Sequence, residues 1–488
     1  MREVGWHNPP MHANPSQLSA VQTAPQGSIS SESWIALALL TAAYTLSFID
    51  RTAVSVVQEQ IKAEMLLSDW QIGLMIGPAF AIIYSLAGLP LARLAERSHR
   101  ARLLAGCIAV WSAMTMLFGQ GRSFISLFVA RMGVGIGEAG GNPTSHALIA
   151  EHFPEARRSM AIAIFSLGAP LGSFLGAAGT GWLADQIGWR NTFLVLGIPG
   201  FVLAVIMLIW LKDPERTWRA GVASRKQEPI PSLQLVAGEL VRNSAFRHLA
   251  WGGALVVLVG YCLPAFLPAL LVRSYGLPLA QVGLFTGLVS GLGGGVGTII
   301  GGIAGDRWAR GQPVRLAIVS ALAIVPAPIF IAGGILSNNL YLAVAGCMLG
   351  TASLYAFVAP TFAQVHTLAS GRNRATVTSI FYLVTNLVGF GLGPPIVGAL
   401  SDFWSRRALG LDAEAFAVTC LSSAARRSDC NMAMADGMEM ALLAMCLLPF
   451  AASCHFLMVA RRQSQHGVPL HVAQAVNDVA MTDQNRED

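Results

Sequence analysis

Long apolar runs alternate along this chain with short stretches rich in charge and turn residues. Twelve runs are long enough to cross about 30 Å of hydrocarbon as helices. They cover residues 34–57, 71–91, 102–120, 124–148, 159–183, 192–211, 248–271, 281–304, 314–335, 340–366, 373–400 and 438–460. The pattern predicts an all-α membrane protein with twelve transmembrane helices. The polar stretch 212–247 splits them six and six. The expected organisation is an N-terminal bundle at 32–211, a cytoplasmic linker at 212–247 and a C-terminal bundle at 248–460, the last with a long external loop at 401–437. Residues 1–31, rich in Pro, Ser, Gln and Ala without periodicity, read as a disordered tail, and 461–488 as a second tail. The first apolar run starts too far in, and is too long, for a signal peptide.

Composition sharpens this. The apolar share is 54% and the charged share 12%, with a mean hydropathy of +0.56; soluble domains carry about twice that charge. Soluble, fibrous, disordered and disulfide-scaffold classes are thereby excluded. The net charge is +6, from 32 Lys and Arg against 26 Asp and Glu. This excess is not a nucleic-acid signature, because zinc spacings, a Walker loop and aromatic-rich basic patches are missing. With both termini inside, 22 basic residues fall in cytoplasmic segments and 8 in external ones, while Arg51 and Arg131 lie within helices. That asymmetry obeys the positive-inside rule. Five of the seven cysteines sit in apolar runs and read as small buried hydrophobes. Cys420 and Cys430 share the loop 401–437 and are a disulfide candidate in an oxidising compartment.

Ionisable residues inside spans cost roughly 2.5–3.5 kcal/mol each on insertion scales, so they usually face a wet cavity and work. Asp50 and Arg51 interrupt the first apolar run, and Arg131 and Glu138 lie in the fourth. Burial penalises the charged form of a carboxylate, which suits Asp50 to load and release a proton. Arg131 and Glu138 are seven residues apart and share a helix face about 10 Å apart along the axis. Asp50 with Arg131 is the expected couple; a purely structural ion pair between helices one and four is the alternative. The second half offers no buried acid in its spans. Its cavity candidates are Tyr261, Tyr355, Gln364, Tyr382, Thr385 and Asn386, any of which could equally be packing residues. Pro264 and Pro268 should bend or break helix seven. A charged first half facing a tyrosine-bearing, apolar second half suits an amphipathic substrate.

The halves repeat. Ala92 to Arg102 reads ARLAERSHRAR and Gly302 to Gly311 reads GIAGDRWARG, aligning Glu96-Arg97 with Asp306-Arg307 at an offset of 210. Gly181-Trp-Leu-Ala-Asp185 recurs as Gly398-Ala-Leu-Ser-Asp402 at an offset of 217. The same marks at the same helix numbers, on alternating faces, trace inverted three-helix repeats nested in two halves. The 302–310 segment resembles the G-x-x-x-D-R-x-x-R loop of the major facilitator superfamily; the first copy departs from it at Ala92 and Glu96. SFIDR (47–51), IKAEM (61–65), ARMGVGIGEAG (130–140) and GWLADQIGWR (181–190) resemble its Spinster-like branch.

That resemblance implies the superfamily fold of two six-helix bundles, in a bacterial inner membrane, with both termini cytoplasmic. It implies proton coupling and headgroup binding at Asp50, Arg131 and Glu138; from the residues themselves, Arg51, Tyr261, Tyr355, Tyr382 and Asn386 are expected to complete the substrate site. The loop residues Glu96, Arg97, Asp306 and Arg307 are expected to form a cytoplasmic gate that latches when the protein faces outward; topogenic charge is the alternative for the arginines and does not explain the acids. The resemblance also places helices five against eight and two against eleven, on which small-residue stripes recur: Gly168, Gly172 and Gly176; Gly283, Gly287, Gly291 and Gly295; Gly73, Gly77 and Ala81; Gly389 and Gly393. The expected function is proton-coupled transport of lysophospholipid or sphingoid-type amphiphiles by alternating access. The alternatives are drug export or carriage of small organic anions, with Arg51 and Arg131 holding a carboxylate, and, less favoured, a non-transporting membrane sensor. No enzyme activity, cofactor or metal is expected, since His146 and His366 stand isolated. The expected partners are the substrate, protons and membrane lipids, without nucleic acid, and the expected state is a monomer.

Overall fold

The computed structural model describes residues 30–211, 233–369, 374–421 and 428–466, with no strand among them. Most of the tail 1–31, the first part of the linker 212–247, part of the loop 401–437 and most of 461–488 lie outside the described residues, as do the side chains of Glu96 and Arg97.

Ten helical stretches are long and apolar enough to cross a membrane. One of them, Arg157–Trp210, runs to 54 residues, about 80 Å at 1.5 Å per residue and far beyond one crossing. Gly188, with φ 75°, breaks it into two antiparallel-capable helices, a backbone turn that glycine adopts without steric cost. A further span is interrupted at Gly140, between Phe124–Ala139 and Gly141–His152. Twelve spans result. We label them α1 (Ser31–Val56), α2 (Asp69–Ala95), α3 (Arg100–Gln120), α4 (124–152), α5 (157–187), α6 (189–210), α7 (Ser244–Tyr275), α8 (Leu279–Ala309), α9 (Pro313–Ile335), α10 (Leu340–Thr367), α11 (Thr376–Leu409) and α12 (Asp429–Gln465). An even number of crossings brings both ends of the bundle to one face, here the terminal face; the opposite one is the distal face.

Turn chemistry sets the short distal connections. Ser68 and Gln71 form a reciprocal capping box at the start of α2, and Ser123 with Ser126 does the same for α4; each satisfies amide donors that a helix start leaves unpaired. The sequence led us to expect a bent or broken α7. The helix is not broken: it continues through Pro264 and Pro268. Gln58 of the first half donates to the Ala265 carbonyl between the two prolines at 2.8 Å, tying α7 to the first half. π-helical turns occur instead in α8 (Leu288–Gly293) and α11 (Asn386–Leu392).

The halves meet along α5 with α8 and α2 with α11. Gly283 lies against Ala177 and Gly181, Gly287 and Gly291 against Phe174, and Gly295 against Pro170. Gly73 abuts Pro394 and Gly77 abuts Gly391. Two expected stripes face elsewhere. Gly168, Gly172 and Gly176 of α5 pack on α1 at Thr41, Thr45 and Ile49, inside the first half. Gly389 and Gly393 of α11 pack on α7 at Val257 and Leu258; it is Gly391 and Gly398 that approach α2. A small-residue stripe marks close approach, and the sequence does not say to which neighbour.

These contacts belong to the distal half and the middle of the bundle. Closer to the terminal face, Gly88 and Gly302 find neighbours only in their own halves, at Ala139 and Ala359. There Leu86, Tyr382 and Leu383 are 67%, 48% and 48% exposed. The glycine contacts between the halves thus lie toward the distal face, and Gly88 and Gly302 near the terminal face make none across the halves.

Candidate functional site

The charges expected at the centre do converge, in a pairing that differs from the expected one. Asp50, Arg131 and Glu138 are all buried. Adjacent residues on a helix point about 100° apart, so Asp50 and Arg51 address different neighbours. Arg51 Nε donates to Glu138 Oε2 at 2.7 Å. Arg131 does not pair with the Asp50 carboxylate: its Nη1 reaches only the Asp50 main-chain oxygen, at 3.3 Å. Asp50 Oδ1, Glu138 Oε1 and the Nε and Nη2 of Arg131 are buried without a hydrogen bond among the described residues. Such groups cost about 1–3 kcal/mol each, more when charged. A site left in that condition is one whose partners come and go.

Aromatic rings from α1 and α2 take up part of the cationic charge. The Arg51 guanidinium carbon lies 4.9, 4.7 and 5.2 Å from the ring centres of Phe48, Phe80 and Tyr84, and that of Arg131 lies 5.1 Å from Phe80. Desolvated cation–π contacts of this kind are worth about 2 kcal/mol. Phe80 therefore touches both arginines. Arg51 and Glu138 open into a pocket shared with Tyr44, Ser47, Tyr84, Asn142 and Ser145. Asn142 and Ser145 follow the break at Gly140, and Asn142 donates to the Tyr84 hydroxyl at 3.4 Å.

The second half supplies the apolar wall. Phe390 of α11 stands 5.5 Å from Phe80 and 4.6 Å from Tyr261, bridging the halves with a run of rings. Tyr382 lies tilted against Phe362 with ring centres 4.7 Å apart, Tyr355 lies beside Gly294 and Gly260, and Asn386 is half-buried next to Gly391. Two further candidates leave the cavity. Gln364 is fully buried and ties the Pro313 carbonyl to Gln463, while Thr385 is spent on carbonyls of its own helix.

The distal face holds a second charged cluster that the sequence reading passed over. Arg273 of α7 reaches Glu59 at 2.6 Å and both carboxylate oxygens of Asp69, and Lys62 reaches Asp69 Oδ1 at 2.6 Å. Ser401 donates to Asp69 Oδ2, and Asp402 accepts from the Asp69 and Trp70 amides, capping α2 from the other half. Lys62 and Arg273 are two of the eight basic residues that the sequence assigns to external segments. The available signal was opposite charges from the two halves at one face; the partners stand over 200 residues apart. At the terminal face Asp306 and Arg307 are exposed at the end of α8. Cys420 and Cys430 are joined as a disulfide beside Phe416 and Met434.

Comparison with known proteins agrees with this architecture. The Major Facilitator Superfamily profile matches residues 40–394. An MFS-type efflux pump of Mycolicibacterium smegmatis is 34% identical over 397 residues, covering 78% of this chain and 89% of the pump. A hexuronate transporter of Escherichia coli (strain K12) is 25% identical over 264 residues, covering 52% of this chain and 60% of that protein. The crystal structure of a bacterial homologue of the human lysosomal transporter Spinster, inward-facing and unoccupied, superposes with a TM-score of 0.79 at 27% identity, covering 89% of this chain and 98% of that one. Matched in sequence over most of its spans, and in architecture to a Spinster homologue, the chain belongs to the major facilitator superfamily of membrane transporters, on its Spinster-like side.

Proposed function

We propose that the protein is a proton-coupled carrier of anionic or zwitterionic amphiphiles that works by alternating access, with Asp50 as the proton carrier. One observation carries the reading: Asp50 is buried with a free carboxylate oxygen, while Arg131 holds only its main-chain oxygen and keeps two guanidinium nitrogens unused. Ionised, Asp50 draws Arg131 onto its carboxylate; protonated, it releases it. A proton thus changes the α1–α4 contact beside the Arg51–Glu138 pair. Loop charge puts the terminal face in the cytoplasm, so the closed distal face makes this an inward-open state.

Arg51 offers a fork to an anionic headgroup. Glu138 suits a cationic group, and Asn142 and Ser145 supply neutral hydrogen bonds. The acyl chain lies along Phe390, Tyr261, Tyr355 and Tyr382. Lysophospholipids and sphingoid-type phosphates have this shape, which the Spinster-like resemblance favours. A small organic anion is the second reading, favoured by the two cavity guanidiniums and by the hexuronate carrier among the relatives. Asp306 and Arg307, with Glu96 and Arg97, latch the terminal face in the outward-facing state.

The test is flux into proteoliposomes under an imposed pH gradient, with labelled lysophospholipid, a labelled hexuronate and a cationic dye in parallel. Lysolipid movement that follows the gradient supports the proposal. Movement of hexuronate or dye alone overturns the substrate class and leaves the proton site standing.

A further inference from the structure

A polar cluster near the terminal face of the second half takes no part in the transport site. His248 of α7 and His455 of α12 meet through their Nδ1 atoms at 2.9 Å, with ring centres 5.1 Å apart. Gly252 allows the meeting, since a side chain there would press on the Cβ of His455 and the ring of Phe456. When two neutral imidazoles bond in this way, one Nδ1 donates and the other accepts. The accepting ring then carries its proton on Nε2 and offers that N–H outward. Arg247 and Arg462 both bear electrostatically on His248. Both are exposed, and neither forms an ion pair among the described residues. His455 and Arg462 are seven residues apart, two turns on one face of α12.

The cluster lies outside the cavity. His248 and Tyr261 point about 140° apart around α7. Trp251, one turn from His248, is 51% exposed, and Met458, between His455 and Arg462, is 46% exposed. Two arginines and the histidine pair therefore stand beside exposed apolar side chains, Trp251 of α7 and Met458 of α12, and tryptophan is a residue that membrane–water interfaces favour.

We infer that this cluster, where α7 meets α12, binds the phosphate headgroup of an anionic membrane lipid in the terminal-face leaflet, its acyl chains lying along Trp251 and Met458. Guanidiniums suit phosphate through paired hydrogen bonds, and basic pockets between helices near the cytoplasmic surface take lipid headgroups. A water-soluble phosphate would gain nothing from the exposed apolar flank, so the lipid is the occupant the surface favours. The inference is independent of the transported substrate.

Native mass spectrometry of the full chain in detergent tests it, with titrations of phosphatidylglycerol, phosphatidylcholine and glycerol phosphate. Wild type should retain phosphatidylglycerol in preference to phosphatidylcholine. The double variant Arg247→Gln/Arg462→Gln should lose roughly tenfold or more in that affinity, and Arg310→Gln, an exposed cation elsewhere on the same face, should lose none. Equal binding of phosphatidylcholine, binding of glycerol phosphate as tight as that of the lipid, or an equal loss at Arg310→Gln would each overturn it.

Discussion

Two buried charge clusters sit in this molecule at different depths. The distal one, Glu59, Lys62, Asp69 and Arg273, is saturated: both oxygens of Asp69 are bonded, and Ser401 and Asp402 add hydrogen bonds from the other half. The central one, Asp50, Arg51, Arg131 and Glu138, balances to zero formal charge yet leaves four polar atoms unpartnered. The distal cluster spans both halves, whereas the central one lies wholly within the first. Burial of charge therefore does not by itself mark a working site. A saturated network that crosses between halves holds a conformation, and an unsaturated one within a half is ready to change protonation or accept a ligand.

The strongest challenge to this division is Asp50→Asn. It should reduce gradient-driven flux to that of empty liposomes while substrate binding, read by fluorescence or calorimetry, survives; full proton-driven transport by the variant would erase the distinction. Next is Arg273→Gln, which strands buried carboxylates at a cost of about 3–5 kcal/mol. In a background lacking the exposed Cys454, spin labels at Leu66→Cys and Val418→Cys should then move apart as distal-open molecules accumulate, with no such change for Asp50→Asn. Glu138→Gln removes the charged partner of Arg51. It should raise the half-saturating substrate concentration roughly tenfold and alter the maximal rate less, the mark of a group that holds the headgroup. The smallest effect belongs to Cys420→Ser with Cys430→Ser. Breaking this loop staple should lower the melting temperature by a few degrees at most and leave flux untouched.

Hydrophobic period and loop charge made the twelve spans legible, because a bilayer imposes length and apolarity on every crossing. Asp50, Arg51, Arg131 and Glu138 stood out for the same reason. Their pairing did not, since a few tens of degrees of helix rotation decide whether Arg131 meets a carboxylate or a main-chain oxygen. Lys62, Asp69 and Arg273 were hidden in plain loop composition. Their chemistry exists only when residues 204 positions apart close over the distal face. Proline content pointed to α7 as the irregular helix, yet α7 runs on, and the altered turns fall in α8 and α11, where glycine is dense.

The turn in α8 has a geometric consequence. In a regular α-helix, residues spaced by four creep about 40° around the axis at each step, so the row Gly283, Gly287, Gly291 and Gly295 would spiral off α5 within three steps. An i→i+5 turn spends more residues per revolution and winds the row back. The turn at Leu288–Gly293 falls in the middle of that row, and all four glycines stay against α5, from Gly181 to Pro170. It acts as a vernier that straightens a spiral of glycines into a rail. Removing a single residue from that turn would throw the far end of the rail about a quarter-turn out of line.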